Sequence, residues 1–168
     1  MVFNLIKQTR VFCGTTTALS AALPLFELKQ FSLAIIDEAS QILEPHLLPL
    51  LCATHNDECA IKRFVLIGDE KQLPAVVQQS AEESDVKDPQ LNAISLHNCR
   101  LSLFERLLDL YGFNEDGSRN EQVCHMLTHQ GRMHHDIAYF PSLNFYNDAL
   151  CEVPLPHQTE ATPRANSP

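Results

Sequence analysis

The sequence predicts an α/β fold, a parallel sheet flanked by helices, on two observations. Three short apolar runs, Arg10-Val11-Phe12-Cys13, Leu33-Ala34-Ile35-Ile36 and Phe64-Val65-Leu66-Ile67, lack polar alternation, as strands covered on both faces do. Each breaks at once into a polar cluster: Gly14-Thr15-Thr16-Thr17, Asp37-Glu38-Ala39-Ser40 and Gly68-Asp69. The segments between them suit crossover helices. Ala18 to Phe26 is apolar but shortened by Pro24, and Pro45 to Ala53 is Leu-rich, with Pro45 tolerable in a first turn and Pro49 shortening or bending the remainder of that helix. The order βαβαβ brings all three polar clusters to the carboxyl ends of parallel strands, where open sheets of this kind bind ligands.

Further along, residues 81–89 are acidic and aperiodic and predict a surface loop. The next segment predicts a helix, with Ser102 and Glu105 at capping-box spacing, an apolar stripe of Leu103, Phe104, Leu107 and Leu108, and Gly112 to close it. The polar stretch 113–122 is the best candidate for a domain boundary. Beyond it, Val123 to Leu127 predicts a strand, Thr128 to Arg132 a polar turn, and Met133 to Phe140 a helix ended by Pro141. Phe140, Phe145 and Tyr146, beside Ile137 and Leu143, are expected to pack in a core rather than stack on nucleobases. Residues 153–168 carry four prolines and few apolar residues, and are expected to be an extended or disordered tail.

Composition narrows the functional classes. At 168 residues, 45% hydrophobic and 20% charged, the chain is long enough to bury a core. No apolar run approaches the roughly 20 residues needed to cross a bilayer, and the first residues lack a signal-peptide core, so an intracellular location, cytoplasm or nucleus, is expected. The six cysteines form no Cys-x-x-Cys pair and are expected to be reduced, several as small hydrophobes. A net charge of -9 argues against broad electrostatic binding of a polyanion, which needs clustered Lys and Arg.

Asp37-Glu38 offers two carboxylates of different reach: one can hold a hydrated Mg²⁺ while the other orients or deprotonates an attacking water. Taken alone, the pair favours the plainer reading of two solvated loop acids or a helix cap. Its context adds weight. Asp69 and Gln72 come after a second strand, and Gln130 and Arg132 after a third; glutamine can position a water and sense a terminal phosphate, and arginine can neutralise charge on a transferring phosphoryl group. A surface pairing of Arg132 with Asp136, at helical spacing, is the plain alternative for the arginine.

These residues fall in an ordered set of motifs. IIDEASQ at 35–41 resembles motif II of the superfamily 1 helicases, VLIGDEKQLP at 65–74 resembles motif III, SLFERLL at 102–108 the helix after it, and LTHQGRMHHDIAYFPSLNFY at 127–146 motif IV. The branch resembled contains the RNA helicase of nonsense-mediated decay and related DNA helicases. The resemblance implies a RecA-like P-loop NTPase fold, ATP and Mg²⁺ as cofactors in a cleft between two such domains, and single-stranded DNA or RNA as partner. It implies that Asp37 serves Mg²⁺ through water, Glu38 the hydrolytic water, and Gln72 and Arg132 the γ-phosphate. Asp69 and Gln130 join the nucleotide site, and Thr15 and Thr16 contact the nucleic-acid backbone, although a Thr-rich turn after a strand is also an ordinary helix cap. Residues 1–112 are then the rear of a first RecA-like domain, 113–122 a linker, and 123–152 the start of a second.

The sequence departs from the family pattern in three ways. No G-x-x-x-x-G-K-[ST] occurs, so the amide cradle and Lys that grip the β- and γ-phosphates are absent from it, as are the later motifs that supply a further arginine. Gly131 stands where the family often has a tyrosine that stacks on the base. Leu73-Pro74-Ala75 and Met133-His134-His135 replace Leu-Pro-Pro and Met-His-Pro. The expected function is therefore an interior fragment of an ATP-dependent helicase, inactive by itself and completed by the remaining helicase domains. The alternative is a non-catalytic interaction module that keeps the fold without the phosphate loop.

Overall fold

The computed structural model describes residues 2–160, which divide into two compact units at Asn120–Glu121. In the first unit, α1 (Val2–Gln8) precedes an unpaired segment, then α2 (Thr16–Ala21) and α3 (Leu23–Leu28). The single helix expected from Ala18 to Phe26 is broken in two at Ala22 because Pro24 suits only a first helical turn, and it occupies that position in α3. Strand β1 (Ala34–Ile36) leads through a short 3₁₀ turn, Ala39–Gln41, into α4 (Glu44–Leu51). A small antiparallel hairpin of β2 (Thr54–His55) and β3 (Glu58–Cys59) comes next, then β4 (Phe64–Leu66). Strands β1 and β4 pair in parallel with Ala34 opposite Phe64, Ile35 opposite Val65 and Ile36 opposite Leu66. The expected strand at 10–13 is not paired: its backbone is irregular, and Phe12 makes an edge contact with Phe31 at 5.4 Å between ring centres.

Apolar side chains close over this sheet unevenly. Ile36 packs with Ala39, Leu47 and Leu103 in one buried cluster, while Phe26, Leu50, Ala60 and Ile61 form another, against which Ala34 and Phe64 lie. The opposite face of the same strands is open, with Ile35 63% and Val65 44% exposed. Full burial of both faces, expected from the lack of alternation, holds for one face.

Helix α5 (Pro89–Ala93) is capped by Asp88, and α6 (Leu103–Tyr111) carries the capping box read from the sequence, with Ser102 Oγ accepting from Glu105 N–H at 3.1 Å and Glu105 Oε2 accepting from Ser102 N–H at 2.9 Å. Gly112 caps its end in a right-handed conformation, and a Cβ there would lie 2.5 Å from the Leu108 carbonyl oxygen. Arg106 joins α6 to α4 by a two-pronged contact with Glu44, Nε to Oε2 at 2.8 Å and Nη2 to Oε1 at 2.5 Å, in side chains only 11% and 12% exposed. Losing one partner of so shielded a pair costs about 3 kcal/mol. The stretch after Gly112 folds back on α6, with Asn120 N–H donating to Gly112 O and Asn120 Nδ2 to Tyr111 O.

In the second unit, β5 (His129–Gln130) precedes α7 (His135–Phe145) and pairs in parallel with β6 (Cys151–Glu152), after which comes a one-turn helix, α8 (Pro156–Thr159). Four expectations change here. The strand lies at 129–130 rather than 123–127, on residues expected to be a turn. Helix α7 runs through Pro141 to Phe145; the proline orphans the Ile137 carbonyl, and Ile137 is 63% exposed, so water can satisfy it. Residues 153–160 are not a free tail, since α8 buries Gln158 completely; the rest of the expected tail, 161–168, lies outside the described residues. Phe140 and Phe145 meet edge to face at 6.3 Å but are both exposed, not core. The six cysteines are thiols, and all but Cys124 are exposed rather than buried. Among the described residues no helix is long and apolar enough to cross a membrane.

Candidate functional site

The carboxyl ends of β1 and β4 bring four of the sequence-derived residues into two adjoining loops. The Ile67 N–H donates to Ile36 O at 2.8 Å and the Ala39 N–H to Ile67 O at 2.7 Å, so the loop after each strand is stitched to the other. Ser40, buried under this junction, accepts from the Asp69 N–H through Oγ at 3.1 Å. Gly68 makes the approach possible: a Cβ there would stand 2.8 Å from the Ser40 nitrogen. Neither role is visible in the sequence, where DEAS and IGD lie far apart.

Asp37 and Glu38 are both exposed at this junction. Asp37 Oδ1 accepts from the Glu38 N–H at 3.0 Å. Glu38 sits in the left-handed region, φ 52° and ψ 36°, at the entry to the 3₁₀ turn, and its Oε2 accepts from Gln41 Nε2 at 3.3 Å. Asp69 organises its own loop: Oδ1 accepts from the Lys71 N–H at 3.0 Å and Oδ2 from Gln72 Nε2 at 2.9 Å. Gln72 is exposed, and its amide keeps one N–H and its oxygen for other partners.

Thr15 is the N-cap of α2, its Oγ1 accepting from the Ala18 N–H at 3.1 Å, and Thr16 is the first residue of that helix. The plain capping role thus accounts for the Thr15 hydroxyl. A mainly apolar cavity of about 750 Å³ opens between this segment and β1, with Thr15, Thr16 and Asp37 among its lining residues.

Magnesium is ordinarily held by one or two carboxylates together with phosphate oxygens and waters rather than by a full protein cage. The Asp37 carboxylate suits that mode, exposed and, among the described residues, bound by its neighbour's amide through one oxygen. The phosphate cradle for ATP has no counterpart in the sequence.

In the second unit, the turn Gln130–Met133 carries Arg132. Gln130 Oε1 accepts from both the Arg132 N–H at 3.0 Å and the Met133 N–H at 2.7 Å, and Gln130 Nε2 donates to Met133 O at 2.9 Å. Its amide therefore shapes the turn and retains one N–H. Arg132 is exposed, and among the described residues its guanidinium takes part in no ion pair; Asp136, its plain alternative partner, lies instead 3.6 Å from His134. His134 caps α7, with Nδ1 accepting from the Asp136 N–H. At the start of α7, His135 Nδ1 donates to Glu152 Oε1 at 2.9 Å, and this contact, with the nearby His134, holds the Glu152 carboxyl below its ordinary range.

Residues 1–80 and 99–167 each match a family model described as an AAA domain. Similar proteins include the 3'-5' exoribonuclease HELZ2 of Mus musculus, 33% identical over 88% of this chain and 4% of its own length, and helicase sen1 of Schizosaccharomyces pombe, 33% identical over 87% and 7%. The DNA replication ATP-dependent helicase/nuclease DNA2 of Gallus gallus is 52% identical over 34% of this chain and 5% of its own length. The chain therefore spans less than a tenth of the length of these relatives. The AAA-domain matches imply a P-loop NTPase fold, consistent with the small parallel sheets and mixed helices seen here. Two consecutive AAA-domain matches and helicase relatives aligned along most of its length place the chain in the superfamily 1 helicases, of which it carries a segment.

Proposed function

We propose that this chain supplies hydrolysis residues to an intracellular, ATP-dependent helicase that moves along single-stranded DNA or RNA, and that it turns over no ATP by itself. The observation that carries this reading is the junction of two parallel strand ends, where Asp37-Glu38 and Asp69–Gln72 occupy adjoining loops stitched through Ser40 and Gly68. Residues 1–112 are the rear of one RecA-like domain and 123–152 the start of a second, completed by helicase domains in the same protein.

Mg²⁺, when bound with ATP, neutralises charge on the β- and γ-phosphates. Asp37 would hold that ion through water. Glu38, in its left-handed backbone position at the end of the strand, accepts the proton of the attacking water. Gln72, positioned by Asp69, senses the γ-phosphate with its free N–H, and Gln130 offers its remaining N–H to the nucleotide. Arg132 meets charge that spreads over the transferring phosphoryl group. Thr15 and Thr16 contact the nucleic-acid backbone through the amino end of their helix.

The separate roles of the acids provide the test, in the full-length protein that carries this segment. Glu38→Gln is expected to abolish hydrolysis while Mg²⁺-ATP still binds, whereas Asp37→Asn weakens the metal-dependent binding itself. Identical effects on nucleotide affinity would sink the assignment. Steady, protein-dependent phosphate release from the isolated chain with Mg²⁺ and single-stranded nucleic acid would overturn its dependence on other domains. Undiminished turnover in the Glu38→Gln protein would favour the non-catalytic module.

A further inference from the structure

We propose that Gln158, on the one-turn helix after β6, is a positioning residue that holds the Gln130–Met133 turn in the conformation presenting Arg132. Gln158 is fully buried, a rare state for an amide side chain unless its hydrogen bonds are met. They are met by the turn. Nε2 donates to Gln130 O at 2.8 Å and to Met133 O at 3.2 Å, the two residues flanking Gly131 and Arg132, while Oε1 accepts from the Leu155 N–H at 3.3 Å. Both amide protons thus serve the turn, and the acceptor serves the start of Gln158's own helix.

Two neighbours of Gln158 grip the same region. His157 Nε2 lies 3.1 Å from Gly131 O, and His134 Nε2 lies 3.2 Å from Glu160 O. Since His134 Nδ1 accepts from the Asp136 N–H, its proton sits on Nε2, which donates to Glu160. Together with Gln130, whose amide binds the Arg132 and Met133 nitrogens from within, Gln158 leaves the turn held from both sides by two glutamine side chains. Gly131, in the middle, contributes no side chain of its own to fix it.

This inference rests on the catalytic reading of Arg132, and the test keeps the two apart. Gln158→Met retains length and removes every hydrogen bond; Gln158→Glu keeps the acceptor but sets a carboxylate oxygen against two carbonyls until it is protonated. Amide hydrogen exchange in the full chain reads the turn directly. At unchanged overall fold by near-UV circular dichroism, exchange at Arg132 and Met133 is expected to quicken at least tenfold in Gln158→Met. In Gln158→Glu, exchange at these amides relative to the parent at the same pH should be quickened at neutral pH and return toward the parent's as pH falls through the carboxyl range. Should the Met variant not fold, the pH-dependent pair of states in the Glu variant decides. In the full-length helicase, Gln158→Met is expected to lower kcat about 10²-fold, the penalty of a misplaced group, with KM for ATP little changed and no further loss when combined with Arg132→Ala. Unchanged exchange at the turn overturns the proposal, as does a loss of kcat that adds to that of Arg132→Ala. An Arg132→Ala protein with normal kcat instead removes Arg132 from catalysis, while quickened exchange would still assign Gln158 to the turn.

Discussion

The strand-end loops of the first unit and the Gln130–Met133 turn of the second present their candidate residues by different means. In the first, main chain meets main chain: Ala39 to Ile67, Ile67 to Ile36, and a glycine pressed against the Ser40 nitrogen. In the second, side-chain amides do the holding, since Gln130 and Gln158 bind the turn's nitrogens and carbonyls. A backbone junction tolerates most side-chain changes but not added bulk at its contact point. A turn held by amides is indifferent to bulk where there is space and sensitive to the loss of a single donor.

The largest expected effect lies in the second region. Arg132→Ala in the full-length helicase should lower kcat by about 10³-fold, within the range for arginine fingers, while nucleotide affinity changes much less. Turnover and affinity measured side by side on parent and variant check this, and near-normal turnover with a small drop in Tm would assign the arginine to structure.

A matched pair of glycines sharpens the contrast. Gly68→Ala should destabilise the chain by about 1–3 kcal/mol, because the new methyl meets the Ser40 backbone at 2.8 Å and one loop must shift. Gly131→Ala should stay within about 0.5 kcal/mol, its methyl meeting only the Leu155 side chain at 3.8 Å. Urea denaturation of the two variants measures the difference, and equal losses would contradict the two modes of assembly.

The smallest effect concerns pH. Glu152 has its carboxyl pKa lowered in the folded chain, first by the His135 hydrogen bond. A lowered carboxyl pKa stabilises the fold above the unfolded value, here near 4.5, and the contribution is lost as pH falls through that value and below. Glu152→Gln should remove this contribution, lowering Tm slightly at neutral pH, and the two proteins should converge as pH falls well below that value. Thermal melts of both proteins between about pH 3 and pH 7 track it.

Local signals were legible in the sequence and distant ones were not. The Ser102–Glu105 capping box depends on residues within one turn and stands in the structure, whereas the one short helix expected around Pro24 is two. The parallel partners β1 and β4 were legible as apolar runs, but the similar run at 10–13 stays unpaired, because pairing depends on a neighbour rather than on the run itself. Pro141 looked like a helix end, yet α7 continues through it, and Ile137, whose carbonyl it orphans, is an exposed residue. Within the candidate site, type and context single out the carboxylates and Arg132. The contacts that hold the two loops and the turn could not be read this way: Ser40 against Gly68 and Gln130 against Gln158 join segments far apart in the chain.

Glu38 occupies a left-handed backbone conformation that glycine adopts freely and other residues enter at a penalty of about 1–2 kcal/mol. For the fold alone, glycine is the better residue at that position. A lineage that kept this architecture only as a docking platform would gain stability by drifting to glycine there, one of the few places where losing a side chain makes the chain firmer. The acid that stands at 38 is a residue the architecture itself disfavours, and the proposed part in hydrolysis gives such a position a reason to keep its carboxylate that folding does not.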